Sequence, residues 1–280
     1  MNASDTPDFR PYLQTAVDAV RHAGRLARDM QGVLRDVRLK GPKDVVTEAD
    51  LACDAAIRDI LSKAHPDHDI VTEEAAALRR GSGGEGWTWY VDPIDGTVNY
   101  SRGIALWGVS VGLRRGDGMA AGAIYLPALD ELYTAIRGGG AFLNGKPIRV
   151  SAVDRLDEAI ISHGDFNIGN TPEERQDMNR RNLSSRMRTA SSVQRVKCLG
   201  SAVVEGSLVA AGRMEAFCML AMKPWDVAVT GLLVAEAGGR VSGVDGRPFD
   251  VEGPDALFTN GILHDPLVAL LREDNPEEGC

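Results

Sequence analysis

The feature that most constrains this chain is a change in hydrophobic period near its middle. Helical spacing opens the chain and gives way to consecutive strand-length runs. Beyond about residue 150, strand and helix patterns alternate instead. Phe9, Leu13, Ala16, Val17, Val20, Ala23, Leu26, Ala27 and Met30 follow helical spacing and predict a long amphipathic helix. Gly41-Pro42 breaks that pattern. A second helix is predicted over 48–64, with Thr47 as N-cap and Leu51, Ala55, Ile57, Ile60 and Leu61 as its apolar positions. A short strand at 69–72 and a flexible connector at 79–84 follow. A strand at 87–91 comes next, then three antiparallel strands at 109–113, 121–125 and 132–136. Asn144-Gly145 marks a hairpin turn. In the second half, strands at 159–163, 193–198, 214–218, 241 and 256–259 alternate with helices at 172–187, 201–211, 225–237 and 265–271.

The expected class is therefore α/β in two halves. An α+β half spans 1–150, an α/β half spans 151–272, and an acidic tail at 273–280 is expected to be disordered. With 31 Lys and Arg against 40 Asp and Glu, the net charge of −9 argues against a nucleic-acid or anionic-membrane binder. No run approaches a transmembrane span, and the first residues lack the pattern of a secretion signal. Cys53, Cys198, Cys218 and Cys280 show no paired spacing, so they read as reduced thiols of a cytoplasmic protein.

The chemistry concentrates in Asp92-Pro93-Ile94-Asp95-Gly96-Thr97, directly after an apolar strand. Two carboxylates three apart on a turn stiffened by Pro93 can converge on one point, and Gly96-Thr97 offers backbone N–H groups to an anion. Further carboxylates lie at element ends: Asp50 near the start of the second helix, Glu73-Glu74 after the short strand, and Asp226 in the first turn of the helix after Pro224-Trp225. Such an oxygen-rich set suits a hard divalent cation such as Mg²⁺, and no His or Cys cluster offers a zinc or copper alternative.

These pieces together resemble the inositol monophosphatase family of Mg²⁺-dependent, lithium-sensitive phosphatases. The matching segments are Asp44-Val45-Val46-Thr47-Glu48-Ala49-Asp50, Glu73-Glu74, Trp89 through Tyr100, Gly200-Ser201-Ala202, and Trp225-Asp226-Val227-Ala228 with Glu236-Ala237-Gly238-Gly239 behind it. The resemblance implies a layered αβαβα sandwich of the sugar-phosphatase type, a homodimer, and two or three Mg²⁺ ions per site. It makes Glu73, Asp92 and the Ile94 carbonyl ligands of one metal, and Asp92, Asp95 and Asp226 ligands of another. Glu73 would also hold a third, weaker ion through water. Asp50 and Thr97 would orient and help deprotonate the attacking water. The Gly96 and Thr97 N–H groups would cradle phosphate, while Gly200, Ser201, Ala202, Met219 and Asp226 would lie along the substrate. Lys40 aligns loosely with a basic residue of the family, one position out of step.

One position departs from the pattern. Inositol-specific members carry an acidic residue seven before the Trp-Asp aspartate, where this chain has Met219. A thioether makes no useful hydrogen bond to a hydroxyl. The expected activity is hydrolysis of a small phosphorylated alcohol of the inositol-1-phosphate type. A 3′(2′),5′-bisphosphate nucleotide, histidinol phosphate or fructose 1,6-bisphosphate stands as an alternative substrate, and a non-catalytic interaction protein as an alternative of another class. Several residues also have plainer readings: Lys223 as a solvated lysine at a helix entry, Trp107 and Phe217 as core, 175–188 as a solvated arginine-rich helix face, and Asp50 as a solvated first-turn residue.

Overall fold

The structure is a computed structural model that describes residues 8–32, 37–41, 44–75, 77, 86–166, 168, 169 and 171–272. Helix α1 (Arg10–Met30) has Pro11 in its first turn, where a missing N–H is harmless, and buries the small-residue stripe Ala16, Val20, Ala23 and Ala27. Strands β1 (Val37–Gly41) and β2 (Asp44–Thr47) pair antiparallel. Helix α2 (Glu48–Ala64) begins at Thr47, as expected, in a reciprocal capping box with Asp50. Ile57 and Leu61 are buried as expected, but Leu51 and Ala55 face solvent and Ala49 and Cys53 are buried in their place. A strict four-residue spacing sets that face, and the capping-box aspartate lies on it.

A seven-stranded sheet follows: β3 (Asp69–Thr72), β4 (Trp87–Asp95), β5 (Gly108–Arg115), β6 (Gly118–Leu126), β7 (Glu131–Ile136), β8 (Gly140–Leu143) and β9 (Lys146–Pro147), in that spatial order. β3 runs parallel to β4 and every later pair is antiparallel. The short helix α3 (Thr97–Ser101) lies between β4 and β5. Asn144 and Gly145 both have positive φ, 49° and 76°, as a two-residue hairpin turn needs.

The second sheet contains β10 (Ile160–His163), β11 (Arg195–Lys197), β12 (Ala216–Leu220), β13 (Arg240–Ser242) and β14 (Asp255–Thr259), in spatial order β11-β10-β12-β14-β13. Helices α4 (Pro172–Ser192), α5 (Ala202–Ala210), α6 (Pro224–Glu236) and α7 (His264–Arg272) connect or follow these strands. The expected βαβ alternation holds for β10, β11 and β12, which are parallel; β13 and β14 pair antiparallel and make the sheet mixed.

Five layers result. Helices α1 and α2 cover one face of the large sheet around Trp89, Val91 and Trp107. Helices α5 and α6 fill the space between the sheets, against Tyr90, Ile124 and Tyr133 on one side and Phe217 and Phe258 on the other. Helices α4 and α7 cover the outer face of the small sheet. Trp107 and Phe217 are core residues, as expected. Helix α6 approaches the large sheet through Gly112 and Gly122, which pair across β5 and β6. A Cβ on either would meet a Val229 methyl at 2.6 or 2.8 Å, so only glycine lets the helix so close. No helix among the described residues is long and apolar enough to cross a membrane. The expected connector at 79–84 and tail at 273–280 lie outside the described residues.

Candidate active site

Strand β4 carries two of the candidate carboxylates. In an unbroken strand, residues three apart point to opposite faces. Here β4 pairs with β5 at Asp92↔Ser110 and next at Asp95↔Gly108, so three steps on one strand meet two on the other. The extra residue is a bulge, and Pro93, which has no N–H to give to a ladder, sits in it. The bulge restores parity, and Asp92 and Asp95 turn to the same side. Asp226 joins them from the first turn of α6, and carboxylate oxygens of all three residues lie within 4.8 Å of one another.

Glu73 stands one residue beyond β3, its N–H donating to the Val91 carbonyl at 3.3 Å, which aligns it beside Asp92. Its charge acts on both Asp92 and Asp226. The Glu74 N–H instead turns back to Thr72 Oγ1 at 3.5 Å. Burial first, then the neighbouring carboxylates Glu73, Asp95, Asp226 and Asp50, hold the Asp92 carboxyl far above its ordinary pKa. Burial and the charges of Asp95 and Glu73 do the same for Asp226. Burial pushes Asp95 up to about 6, against the pull of Ser201 and the backbone N–H groups of Val203 and Ala202.

Each carboxylate is held by a particular element. Asp226 Oδ2 accepts from the Lys223 N–H at 3.2 Å. Asp95 Oδ2 accepts from the Ser201 hydroxyl and from the Val203 N–H at 3.0 Å, at the opening of α5. Asp50 is fully buried rather than solvated, and its Oδ2 accepts both the N–H (2.8 Å) and the hydroxyl of Thr47. Its Oδ1 lies 3.1 Å from Thr97 Oγ1, which is also 3.0 Å from the Ile94 carbonyl. Gly96 makes the turn between Asp95 and Thr97. Its φ of 85° is left-handed, and a Cβ there would lie 3.0 Å from the Leu106 carbonyl and 3.1 Å from Ser201 Cβ.

Asp92 Oδ1 is the exception. It is buried and has no hydrogen-bond partner. A desolvated, unpaired carboxylate oxygen among two other carboxylates is costly unless a cation completes it, and an all-oxygen donor set is what a hard divalent cation takes. The residues therefore fit a metal ion of the Mg²⁺ kind.

Met219 is buried in the apolar packing between the sheets, where a Cβ on Gly164 would lie 3.2 Å from its Cγ. Lys223 is exposed, in keeping with its plainer reading, and the Lys40 side chain lies outside what the structure describes. The arginine-rich stretch is a helix, but not wholly a solvated face. Arg186 stacks on Phe166 at 3.9 Å, and Arg188 donates to the carbonyls of Leu270 and Leu271. Packing of α4 on the sheet and on α7 turns these two side chains inward.

Two residues given no role on sequence grounds hold the site together. Asn99 Nδ2 donates to the carbonyls of Leu106 and Leu199, at 2.7 and 2.8 Å, tying α3 to the segment before Gly200. Glu205 is buried, accepts from the Leu199 N–H at 3.0 Å, and is pushed up to about 8 chiefly by burial. Asn99 lies inside the motif, whereas Glu205 had no signal beyond a charge in an otherwise apolar helix.

Comparison with known proteins finds relatives that span nearly the whole chain. The family model described as "Inositol monophosphatase family" matches residues 8–275. An inositol-1-monophosphatase of Mesorhizobium japonicum is 38% identical over 263 residues, covering 93% of this chain and 96% of that protein. A fructose-1,6-bisphosphatase/inositol-1-monophosphatase of Aquifex aeolicus is 33% identical over 272 residues, 95% of this chain and 97% of its own. Among solved structures, an IMPase of Thermotoga maritima superposes with a TM-score of 0.85 at 31% identity, covering 96% of this chain and all of the other.

Proposed function

The chain belongs to the inositol monophosphatase family and is a metal-dependent phosphomonoesterase, and we propose that it hydrolyses a small phosphorylated alcohol of the inositol-1-phosphate type with Mg²⁺. The observation that carries the metal assignment is the buried, unpartnered Asp92 Oδ1 among Asp95 and Asp226. Glu73, Asp92 and the Ile94 carbonyl would hold one ion, and Asp92, Asp95 and Asp226 a second. Glu73 stands where it would serve a third through water. Bound Mg²⁺ supplies Lewis-acid charge that polarises the phosphoryl group and favours ionised water and the leaving alkoxide.

The chain's own groups do the rest. Thr97 Oγ1 can donate to Asp50 Oδ1 while accepting a hydrogen from water, so the proton's path leads to a buried carboxylate fixed by its capping box. The Gly96 and Thr97 N–H groups open α3 toward the same side and would receive phosphoryl oxygens. Asp95 owes its orientation to Ser201, Ala202 and Val203, so the 200–202 segment, which would border the substrate, also positions a ligand. Attack by water without a phosphoenzyme follows, because no nucleophilic side chain is needed once water is oriented.

Inositol-1-phosphate is supported by the name of the Mesorhizobium relative, and a bisphosphate sugar by that of the Aquifex one. Met219 favours an alcohol with fewer hydroxyls on its edge. The two halves, 1–150 and 151–272, would meet at this site, with Asp226 crossing from the second. A homodimer is proposed from the family resemblance, and a cytoplasmic setting rests on the free thiols Cys53, Cys198 and Cys218. The test is phosphate release from inositol-1-phosphate, adenosine 3′,5′-bisphosphate, histidinol phosphate and fructose 1,6-bisphosphate with Mg²⁺ titrated. One substrate should lead, with release lost in Asp95→Asn. A protein that binds Mg²⁺ yet releases phosphate from none would sink the substrate reading, and one that binds no Mg²⁺ would sink the metal reading.

A further inference from the structure

A cavity of ≈ 520 Å³ opens on the outer face of the small sheet, between α4 and α7. Strand parity separates it from the carboxylate cluster. Cys218 and Leu220 of β12 line the cavity, whereas Phe217 and Met219 point the other way, into the packing around α5 and α6. Three guanidinium groups, from Arg180, Arg181 and Arg188, border it, and none of its lining residues among those described is acidic. In a chain of net charge −9, that concentration of positive charge is local.

The groups are arranged for an anion. Arg188 is fixed by the carbonyls of Leu270 and Leu271, at 3.0 and 3.1 Å, and by Ser184 Oγ at 2.7 Å. Arg180 pairs at 3.0 Å with the exposed Asp177, an ion pair that solvent screens. Arg181 donates to no group among the described residues. Ser185 is 4% exposed and lines the cavity beside the Cys218 thiol, the one group its hydroxyl reaches among the described residues. Sulfur is a weak hydrogen-bond partner, so the hydroxyl keeps the capacity to donate to a stronger acceptor. Behind the polar rim, Leu220, Val244 and Leu271 make an apolar wall.

We propose that this cavity is a binding site, separate from the metal centre, for a small organic dianion of the phosphate or phosphonate kind that carries a compact apolar body. The planar fork of Arg181 matches two oxygens of such a head group, the Ser185 hydroxyl donates to a third, and the wall receives the body. Because β12 has Met219 on its opposite face and leads on to Asp226, occupancy bears on a strand that the catalytic half shares.

The probe is phenylphosphonate, which has this chemistry and no ester to hydrolyse. It is titrated by calorimetry into the full chain with divalent metal removed, so that the catalytic site lacks the charge it needs to hold a dianion. One saturable site per chain is expected. Arg181→Ala should weaken binding about tenfold or more, as loss of a charge-assisted hydrogen bond does. Arg180→Ala, at an exposed position that does not threaten folding, should weaken it too, and Asp95→Asn should leave it unchanged. Absence of saturable binding overturns the proposal, as does binding that survives both arginine changes or vanishes in Asp95→Asn. Binding seen only when the chain is ended at Arg272 also overturns it. The sequence continues past Arg272 with four acidic residues, Glu273, Asp274, Glu277 and Glu278, and such a result would assign the cavity to them.

Discussion

At Asp92 the protein keeps a carboxylate oxygen buried without a hydrogen bond, among like charges, at a cost of about 1–3 kcal/mol or more. That is a cost to the metal-free fold which the bound ion removes. Asp92→Asn should therefore raise the midpoint of thermal unfolding of the metal-free protein, by about 2–4 °C for each kcal/mol of relieved repulsion. The same change should abolish the rise that Mg²⁺ gives the native chain, about 2.7 kcal/mol at a hundred times its dissociation constant. An unchanged Mg²⁺-dependent rise in the variant would remove Asp92 from the ligand set. Thr97 calls for a different readout. Thr97→Ala should lower kcat about 10²-fold with little change in KM, and Thr97→Ser should restore most of it, since only the hydroxyl is used. Equal losses in both variants would assign Thr97 to packing. Asp50, Asp92, Asp95 and Asp226 were all legible as carboxylates at element ends. The unpartnered oxygen and the burial of Asp50 were not, because both depend on what packs around them.

At the scale of elements, the position of α6 decides whether Asp226 reaches the cluster, and that position depends on two glycines with no chemistry of their own. Gly122→Val would drive a side chain into Val229, 2.8 Å away at the Cβ alone, and push the helix off the sheet. Overpacking of this kind costs about 1–3 kcal/mol. The expected signature is a lowered thermal midpoint together with weaker Mg²⁺ binding, both measurable by thermal unfolding with and without the ion. A variant that loses stability and keeps its Mg²⁺ affinity would show that α6 does not carry the ligand. Most elements were legible from period alone, and α2 and its Thr47 cap stand where spacing placed them. The buried face of α2 was legible at Ile57 and Leu61 but not at Ala49 and Cys53, because these small residues continue the four-residue spacing that the larger Leu51 leaves. Nor was the mixed character of the small sheet, since alternation of strand and helix leaves strand direction open for β13 and β14.

At the scale of the whole molecule, three histidines are held neutral by burial: His68 pulled down to about 4, His163 to about 3 and His264 to about 4. His68 packs between Tyr12 and Trp87 and accepts from Trp89 Nε1 at 3.1 Å. His163 and His264 bond to Thr189, and to Ser242 and Thr259. Their folded pKa values lie below the unfolded one, so the unfolded chain binds more protons between pH about 6.5 and about 4. The stability they contribute is complete above that window and is lost as pH falls through it. With Mg²⁺ saturating, the thermal midpoint should fall steadily from pH about 6.5 to about 4.5, and less steeply in His163→Asn. A flat profile in the native chain would contradict this account.

The bulge in β4 also has a bearing on how the chain can change its length. Strand residues count in twos, and the three-against-two step between Asp92 and Asp95 makes the local count odd. Gaining a single residue in β5 between Gly108 and Ser110 would match the strands three against three. The ladder would close without interruption and the sheet would lose an irregularity, yet the two carboxylates, three apart in an unbroken strand, would face opposite ways. A chain lengthened in this way would keep its ladder and lose its site, so the short step of β5 binds the activity as firmly as the aspartates do.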